Sequence, residues 1–146
     1  MGYNFPQPIS EQIWADKYRL VTNKPDINND EDVTDTWSRI ARACADSPVK
    51  MFMNKKGKVD VEARFKRFFD VLGNFKFLPA GRITAGAGSG RNVTLFNCYV
   101  MGTIEDSLYS IFENLKEAAL TMQQGGGIGY DFSPLRPKNS PVKHLD

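Results

Sequence analysis

The segment from Thr94 to Phe132 constrains the fold most, because strand, helix, glycine turn and strand follow one another in it. An apolar run at Thr94–Met101 predicts the first strand, and an amphipathic stretch at Ser107–Gln124 predicts the helix. Gly125–Gly127 end that helix, and Ile128–Phe132 predicts the second strand. A unit of this length favours a parallel pair joined by a right-handed crossover. We therefore predict an α/β fold.

The residues before this segment predict a helical domain. Helices are expected at Ser10–Arg19 and Val33–Ala45, and Asp60 is the expected N-cap of a third helix that ends at Gly73. Ile9, Ile13 and Trp14 are candidate core contacts of the first helix. In the second helix, core candidates recur at helical spacing: Trp37, Ile40, Ala41 and Cys44. The sequence predicts a helical domain over residues 1–76 and an α/β domain over 77–146.

Composition narrows the class of protein. The chain has 146 residues, of which 41% are hydrophobic and 25% charged, and these values are ordinary for a globular protein. The net charge of +2 does not favour a nucleic-acid partner, and we interpret the basic cluster of Lys55, Lys56 and Lys58 as a solvated loop. Apolar runs are shorter than the ~20 residues of a membrane helix, and no leader pattern opens the chain. We expect a cytoplasmic protein without a membrane partner.

Cysteine chemistry is limited by two thiols, Cys44 and Cys98, and one histidine, His144. Their spacing matches no zinc or iron–sulfur pattern, so no metal site is predicted. An isolated cysteine in an apolar strand, such as Cys98, is ordinarily buried and inert. Hydrolytic Cys/His catalysis is poorly supported because His144 is remote in sequence, whereas redox or hydrogen-atom transfer by a thiol needs no such base.

The glycine runs and the charges near the second strand leave alternatives open. Gly86–Gly90 precedes a strand, which is the reverse of the dinucleotide-binding order. Gly125–Gly127 fits either a flexible turn or a place where a ligand comes close to the backbone. Asp106 reads as an N-cap, and Arg136 and Lys143 read as solvated loop charges. Together these three could also meet a phosphorylated, hydroxyl-bearing ligand.

Several motifs resemble one family along nearly the whole chain. They read Leu-Pro-Ala-Gly-Arg at Leu78–Arg82, Thr-Leu-Phe-Asn-Cys at Thr94–Cys98 and Ile-Glu-Asp-Ser-Leu at Ile104–Leu108, followed by the long stretch Leu115–Arg136 that contains Gln-Gln-Gly-Gly-Gly-Ile-Gly-Tyr-Asp-Phe-Ser-Pro-Leu-Arg. The chain resembles the large catalytic subunit of ribonucleotide reductases, and the best match is the adenosylcobalamin-dependent class (class II).

The resemblance implies a helical N-terminal domain that leads into a ten-stranded α/β barrel, of which this chain would supply the opening strands and helix. Members are several times longer, so we expect an N-terminal part that is inactive alone and works with the remainder of the reductase, as a separate chain or a downstream segment. The implied activity is reduction of ribonucleotides to deoxyribonucleotides by thiyl-radical chemistry. The implied partners are a ribonucleotide, a dithiol reductant, a second copy in a dimer, and adenosylcobalamin bound mainly by the remainder.

The resemblance also assigns residues by motif position. Cys98 matches one member of the reducing cysteine pair. The implied substrate-binding residues are Pro79, Asn97, Cys98, Gly126 and Gly127, and the implied residues for a deoxynucleoside triphosphate effector are Asp106, Leu108, Arg136 and Lys143. Three alternatives remain: a class I large subunit, a stand-alone deoxynucleotide-binding module without catalysis, and an inert remnant.

Overall fold

The computed structural model describes residues 2–47 and 60–141. The lysine cluster at Lys55–Lys58, Lys143 and His144 lie outside these residues. The chain forms two compact units, Met1–Leu95 and Phe96–Asp146. The boundary predicted after residue 76 precedes this division, because residues 77–95 belong to the first unit.

Helices form the first unit within the described residues, and the fold class follows the prediction there. In chain order they are α1 (Pro8–Lys17), α2 (Val33–Asp46), α3 (Val61–Leu72) and α4 (Gly81–Gly86), with a short 3₁₀ turn at Gly73–Phe75 between α3 and α4. Helix α4 was not predicted from the sequence. It spans six residues from Gly81, and its last residue, Gly86, is the first glycine of the glycine-rich stretch.

Capping residues explain where α2 and α3 begin. The Asp32 carboxylate accepts a hydrogen bond from Thr34 N at 3.0 Å, and the Asp35 side chain accepts one from Asp32 N at 3.0 Å. This reciprocal arrangement is a capping box, which satisfies amide groups that the helix leaves free. At α3 the predicted cap is confirmed, since Asp60 accepts from Ala63 N at 3.0 Å.

The core of the first unit lies between α2 and α3. Its buried members are Val33, Trp37, Ile40, Ala41, Leu72 and Ala87, with Cys44, Phe65, Phe68 and Phe69 packed around them. The predicted inward face of α2 is thus confirmed. The prediction for α1 was wrong in part, because Ile9 and Ile13 are 54% and 41% exposed. Trp14 does pack on the core, and its Nε1 donates to Thr36 Oγ1 at 2.9 Å.

A buried ion pair joins α2 to the loop before it, and its arginine also reaches α4 and the residue that follows α4. The Asp30 carboxylate accepts from Leu20 N at 3.0 Å, from Thr36 Oγ1 at 2.7 Å and from Arg39 Nη2 at 2.9 Å. The Arg39 guanidinium also donates to three backbone carbonyls, those of Tyr18, Thr84 and Ala87. Because Arg39 holds α4 and its C-terminal end on α2, this segment belongs with the helical unit.

The second unit contains a parallel strand pair joined by a helix. Strand β1 spans Cys98–Val100, helix α5 spans Leu108–Gln123 and strand β2 spans Gly127–Gly129. Cys98 pairs with Gly127 and Tyr99 with Ile128, in parallel register. The predicted parallel pairing is confirmed, but both strands are shorter than predicted. No described helix is both long enough and apolar enough to cross a membrane.

Helix α5 forms as predicted but has a different N-cap. Its N-cap is Ser107, whose side chain accepts from Ser110 N at 3.2 Å, so the interpretation of Asp106 as the cap was wrong. The predicted apolar face is present but largely exposed, as shown by Leu108, Phe112, Leu115 and Met122, each more than half exposed. Ala118 is the fully buried residue of the helix.

Candidate functional site

Cys98 lies on an exposed face of the strand pair. Side chains of a strand alternate between its two faces, so Cys98 and Val100 share one face and Tyr99 takes the other. Exposure follows this alternation, because Cys98 is exposed, Tyr99 is half-buried and Val100 is 96% exposed. Tyr99 is covered because its ring and the Thr121 side chain of α5 meet at Gly126. We call the face that carries Cys98, Val100, Gly127 and Gly129 the open face.

The glycine turn brings bare backbone to the Cys98 thiol. Gly125 adopts a φ of 90°, a left-handed conformation that favours glycine, and this residue turns the chain out of α5. Gly127 N then donates to Asn97 O at 2.8 Å. A Cβ built on Gly127 would lie 3.7 Å from Cys98 Sγ and 3.2 Å from Asn97 O. The structure therefore places Cys98, Asn97 and Gly127 together, with no side chain between the thiol and the bend.

Gly126 and Pro79 have different surroundings. Gly126 is buried on the α5 side, where a Cβ would lie 2.6 Å from Tyr99 Cε2 and 2.9 Å from Thr121 Cγ2. Pro79 belongs to the first unit, directly before the N-cap of α4, and its carbonyl accepts from Thr84 Oγ1 at 3.4 Å. It lines a largely apolar cavity of about 450 Å³. The substrate-binding roles of both residues stay predictions.

Two of the predicted effector residues form an ion pair. Arg136 Nε donates to Asp106 Oδ2 at 2.7 Å, and Arg136 Nη1 donates to Pro141 O at 3.1 Å. Both charged side chains are 37% exposed, so the pair is open to solvent. Leu108, the first residue of α5, is 74% exposed. The structure brings Asp106 and Arg136 together, and their role toward an effector stays a prediction.

The two thiols lie in contrasting environments, and both are free. Burial raises the pKa of the Cys44 thiol, and the nearby Arg64 charge lowers it by a smaller amount. Cys44 is therefore held as a neutral thiol beside the helical core, whereas Cys98 is exposed. Across residues 2–47 and 60–141, no group of three His, Cys, Asp or Glu side chains could hold a metal ion.

The sequence interpretation missed the contact between Tyr99 and Gly126. Its signal was present in the alternation of Cys98 and Tyr99, which must face opposite sides of a strand. It also missed the Asp30–Arg39 pair, for which residue spacing gives no signal, because a loop residue and a helix residue meet only in the folded chain.

Family comparisons divide the chain at nearly the same place as its compact units. Residues 4–92 match the model described as "Ribonucleotide reductase, all-alpha domain", and residues 96–146 match "Ribonucleotide reductase, barrel domain".

Curated relatives match parts of the chain. A vitamin B12-dependent ribonucleoside-diphosphate reductase of Mycobacterium tuberculosis is 43% identical over 77 residues, which cover 53% of this chain and 11% of the relative. A relative of the same name from Thermoplasma acidophilum is 40% identical over 76 residues, or 52% and 10% of the two chains. A ribonucleoside-diphosphate reductase subunit alpha of Helicobacter pylori is 39% identical over 75 residues, or 51% and 9%. The matches thus span about a tenth of each relative's length.

Proposed function

Since this chain belongs to the ribonucleotide reductase large-subunit family, we propose that it supplies one reducing cysteine and part of the ribose site of such a reductase. The observation that carries the proposal is the pairing of Cys98 with Gly127 in the parallel strands. This register sets an exposed thiol beside a backbone that has no side chain to exclude a sugar. The remainder of the reductase supplies the other catalytic groups.

In the proposed reaction, Cys98 is one of two thiols that reduce the ribose. A thiyl radical on a further cysteine removes a hydrogen atom from the ribose and later returns it. The 2′ carbon–oxygen bond breaks, the oxygen leaves as water, and a hydrogen takes its place. The two thiols lose two electrons and two protons in this step and form a disulfide, which an external dithiol reduces again. This chain contributes one of the two sulfurs.

Exposure of Cys98 supports this role over that of an inert core thiol. A structural cysteine in an apolar strand is ordinarily buried. Cys98 is exposed on the open face, while Cys44 packs against the helical core. Burial of Cys44 raises its thiol pKa and disfavours the reactive thiolate, so Cys44 is a poor candidate for the same chemistry.

We assign the reductase to the adenosylcobalamin-dependent class, on the strength of the two relatives named as vitamin B12-dependent. We propose that the cofactor is bound mainly by the remainder of the protein, as the resemblance implies. A class I large subunit is the alternative, and the Helicobacter pylori relative is consistent with it.

The direct test is complementation. The protein is combined with a polypeptide that supplies the rest of a related reductase, together with adenosylcobalamin, a ribonucleotide and a dithiol. We expect Cys98→Ala to abolish dithiol-dependent turnover, because the disulfide that accompanies ribose reduction cannot form without this sulfur. The matched control, Cys44→Ala, should retain turnover. Equal turnover of Cys98→Ala and the unchanged protein would contradict the proposal.

A second candidate function is deoxynucleotide binding, which the Asp106–Arg136 pair favours. Arginine is well suited to phosphate, and Arg136 here lies beside a carboxylate that could accept hydrogen bonds from a sugar hydroxyl. Calorimetry with deoxynucleoside triphosphates tests this. A non-catalytic module should bind after Cys98→Ala and lose binding after Arg136→Ala. The control Arg82→Ala, at an exposed position, should keep binding. This pattern, together with failed complementation, would indicate such a module.

A further inference from the structure

The glycine bend beside Cys98 is held on its far side by one aromatic ring. Tyr99 follows Cys98 in β1 and pairs with Ile128 of β2. Its ring lies so near Gly126 that a Cβ there would come within 2.6 Å of Cε2 and 2.9 Å of Cδ2. Contacts under 3 Å are incompatible with a side chain, so the ring occupies the space that any residue other than glycine would need.

Two further side chains lie near Gly126 and the ring. Thr121 of α5 reaches the same point, since its Cγ2 would lie 2.9 Å from a Cβ on Gly126. Phe96 contacts the Tyr99 ring edge-on, with the ring centroids 6.1 Å apart. Gly126 N also donates to Thr121 O at 3.1 Å. The Gly126 backbone is therefore packed between helix α5 and the Tyr99 ring.

This contact determines where Gly127 lies. Gly126 and Gly127 are consecutive, so a shift of the first moves the second. Gly127 N donates to Asn97 O at 2.8 Å, and the Gly127 backbone is the part of the bend nearest to the Cys98 sulfur. Tyr99, on the α5 side of the strands, thus influences the position of the Gly127 backbone beside Cys98 on the open face.

We propose that Tyr99 is a positioning residue: its ring, packed on Gly126, fixes the glycine bend so that the bare Gly127 backbone stays beside the Cys98 thiol. That the bend serves a substrate rests on the proposed function, but the contact itself can be tested without it. The ring carbons make the contact with Gly126, so the phenolic hydroxyl is not required for it.

The experiment measures amide hydrogen exchange at Gly127 in the whole chain. Tyr99→Ala should accelerate exchange by roughly tenfold, because the truncated side chain leaves a cavity beside the bend and lowers the cost of local opening. Tyr99→Phe should restore the rate of the unchanged protein. Tyr109→Ala removes a tyrosine of α5 that is 81% exposed, and it should leave Gly127 exchange unchanged. Tryptophan fluorescence reports on the first unit, which holds both tryptophans, and should not differ among these variants.

Gly126→Ala disturbs the same contact by adding a Cβ against the Tyr99 ring. It provides a second test in case Tyr99→Ala unfolds the second unit. Because the two residues touch, the double variant should exchange no faster than the faster single variant. Unchanged Gly127 exchange in both single variants, or failure of Tyr99→Phe to restore it, would overturn the proposal. The complementation assay is a separate test. If the Gly127 exchange rates follow the expected pattern but the unchanged protein shows no turnover, the proposed function is contradicted and the role of Tyr99 is not.

Discussion

Replacing Arg39 by methionine should lower the free energy of unfolding of the helical unit far more than the same replacement at Arg42, three residues later in α2. Methionine keeps most of the apolar stem of arginine and removes the guanidinium. At Arg39 this leaves the Asp30 carboxylate without its cation, although that side chain is only 3% exposed. It also leaves the carbonyls of Tyr18, Thr84 and Ala87 without their donor.

The magnitude follows from burial. Removing one partner of a buried ion pair costs about 3–5 kcal/mol, because the other charge remains buried and uncompensated. Arg42 instead pairs with Glu62 at 2.7 Å on the surface, where the two side chains are 42% and 75% exposed. Its guanidinium also lies over Phe65, 4.2 Å from the ring centroid. Loss of both surface interactions should cost at most about 1–2 kcal/mol.

Urea unfolding monitored by tryptophan fluorescence provides the assay, since Trp14 and Trp37 both lie in the first unit. With an m value of about 1.5 kcal/mol/M, Arg39→Met should lower the midpoint by about 2 M or more. The double variant Asp30→Asn/Arg39→Met should lose less stability than Arg39→Met, because no unpaired charge remains. Equal midpoints for Arg39→Met and Arg42→Met would refute the reasoning.

Three further predictions concern thiols, pH and helix capping. Iodoacetamide should alkylate Cys98 before Cys44, because burial raises the Cys44 pKa; mass spectrometry would show this, and faster labelling of Cys44 would contradict it. Burial would raise the pKa of the Asp32 carboxyl, but hydrogen bonds from the Thr34 and Tyr3 amides outweigh it and hold the pKa below its ordinary value of 3.8. The stability that the ionised Asp32 contributes is thus present above about pH 3.8 and is lost as the pH falls through the lower folded pKa. In an acid titration of the free energy of unfolding, Asp32→Asn should therefore lose less stability than the unchanged protein. The same loss in both proteins would argue against this linkage. Ser107→Ala should destabilise α5 by about 1 kcal/mol and Asp106→Ala by less, as judged by circular dichroism, and the reverse order would restore Asp106 as the cap.

Local signals in the sequence were sufficient to predict the ends of helices whose capping residues lie next to them in the chain. Asp60 and Gly73 flank α3 as predicted, and the N-cap acts within one turn of the helix. Gly73 itself is not left-handed, since the left-handed residues directly after α3 are Asn74 and Phe75. The same logic failed between two adjacent candidates, Asp106 and Ser107. Either side chain can cap a helix, and the choice was decided by Arg136, which lies 30 residues away in sequence and engages Asp106.

Signals that depend on distant partners were predicted less well. Thr94–Met101 reads as one long strand, but only Cys98–Val100 forms a ladder, because β2 pairs with those three residues. Likewise the periodicity of α5 correctly identifies an apolar face without specifying what would cover it. Leu108 and Phe112 are therefore exposed despite their spacing. The parallel pairing of the two strands was predictable because a strand–helix–strand unit has few arrangements.

The alternation of Cys98 and Tyr99 has a consequence for how this part of the chain tolerates insertions and deletions. Shifting β1 by a single residue would turn the sulfur inward beneath α5 and expose the aromatic ring, since neighbours on a strand swap sides. A shift by two residues would keep the sides but move the sulfur away from the glycine bend. The pairing register of these three residues thus determines both the face on which the sulfur lies and the residue that it contacts. Insertions or deletions in β1 should therefore damage the site far more than substitutions of Val100.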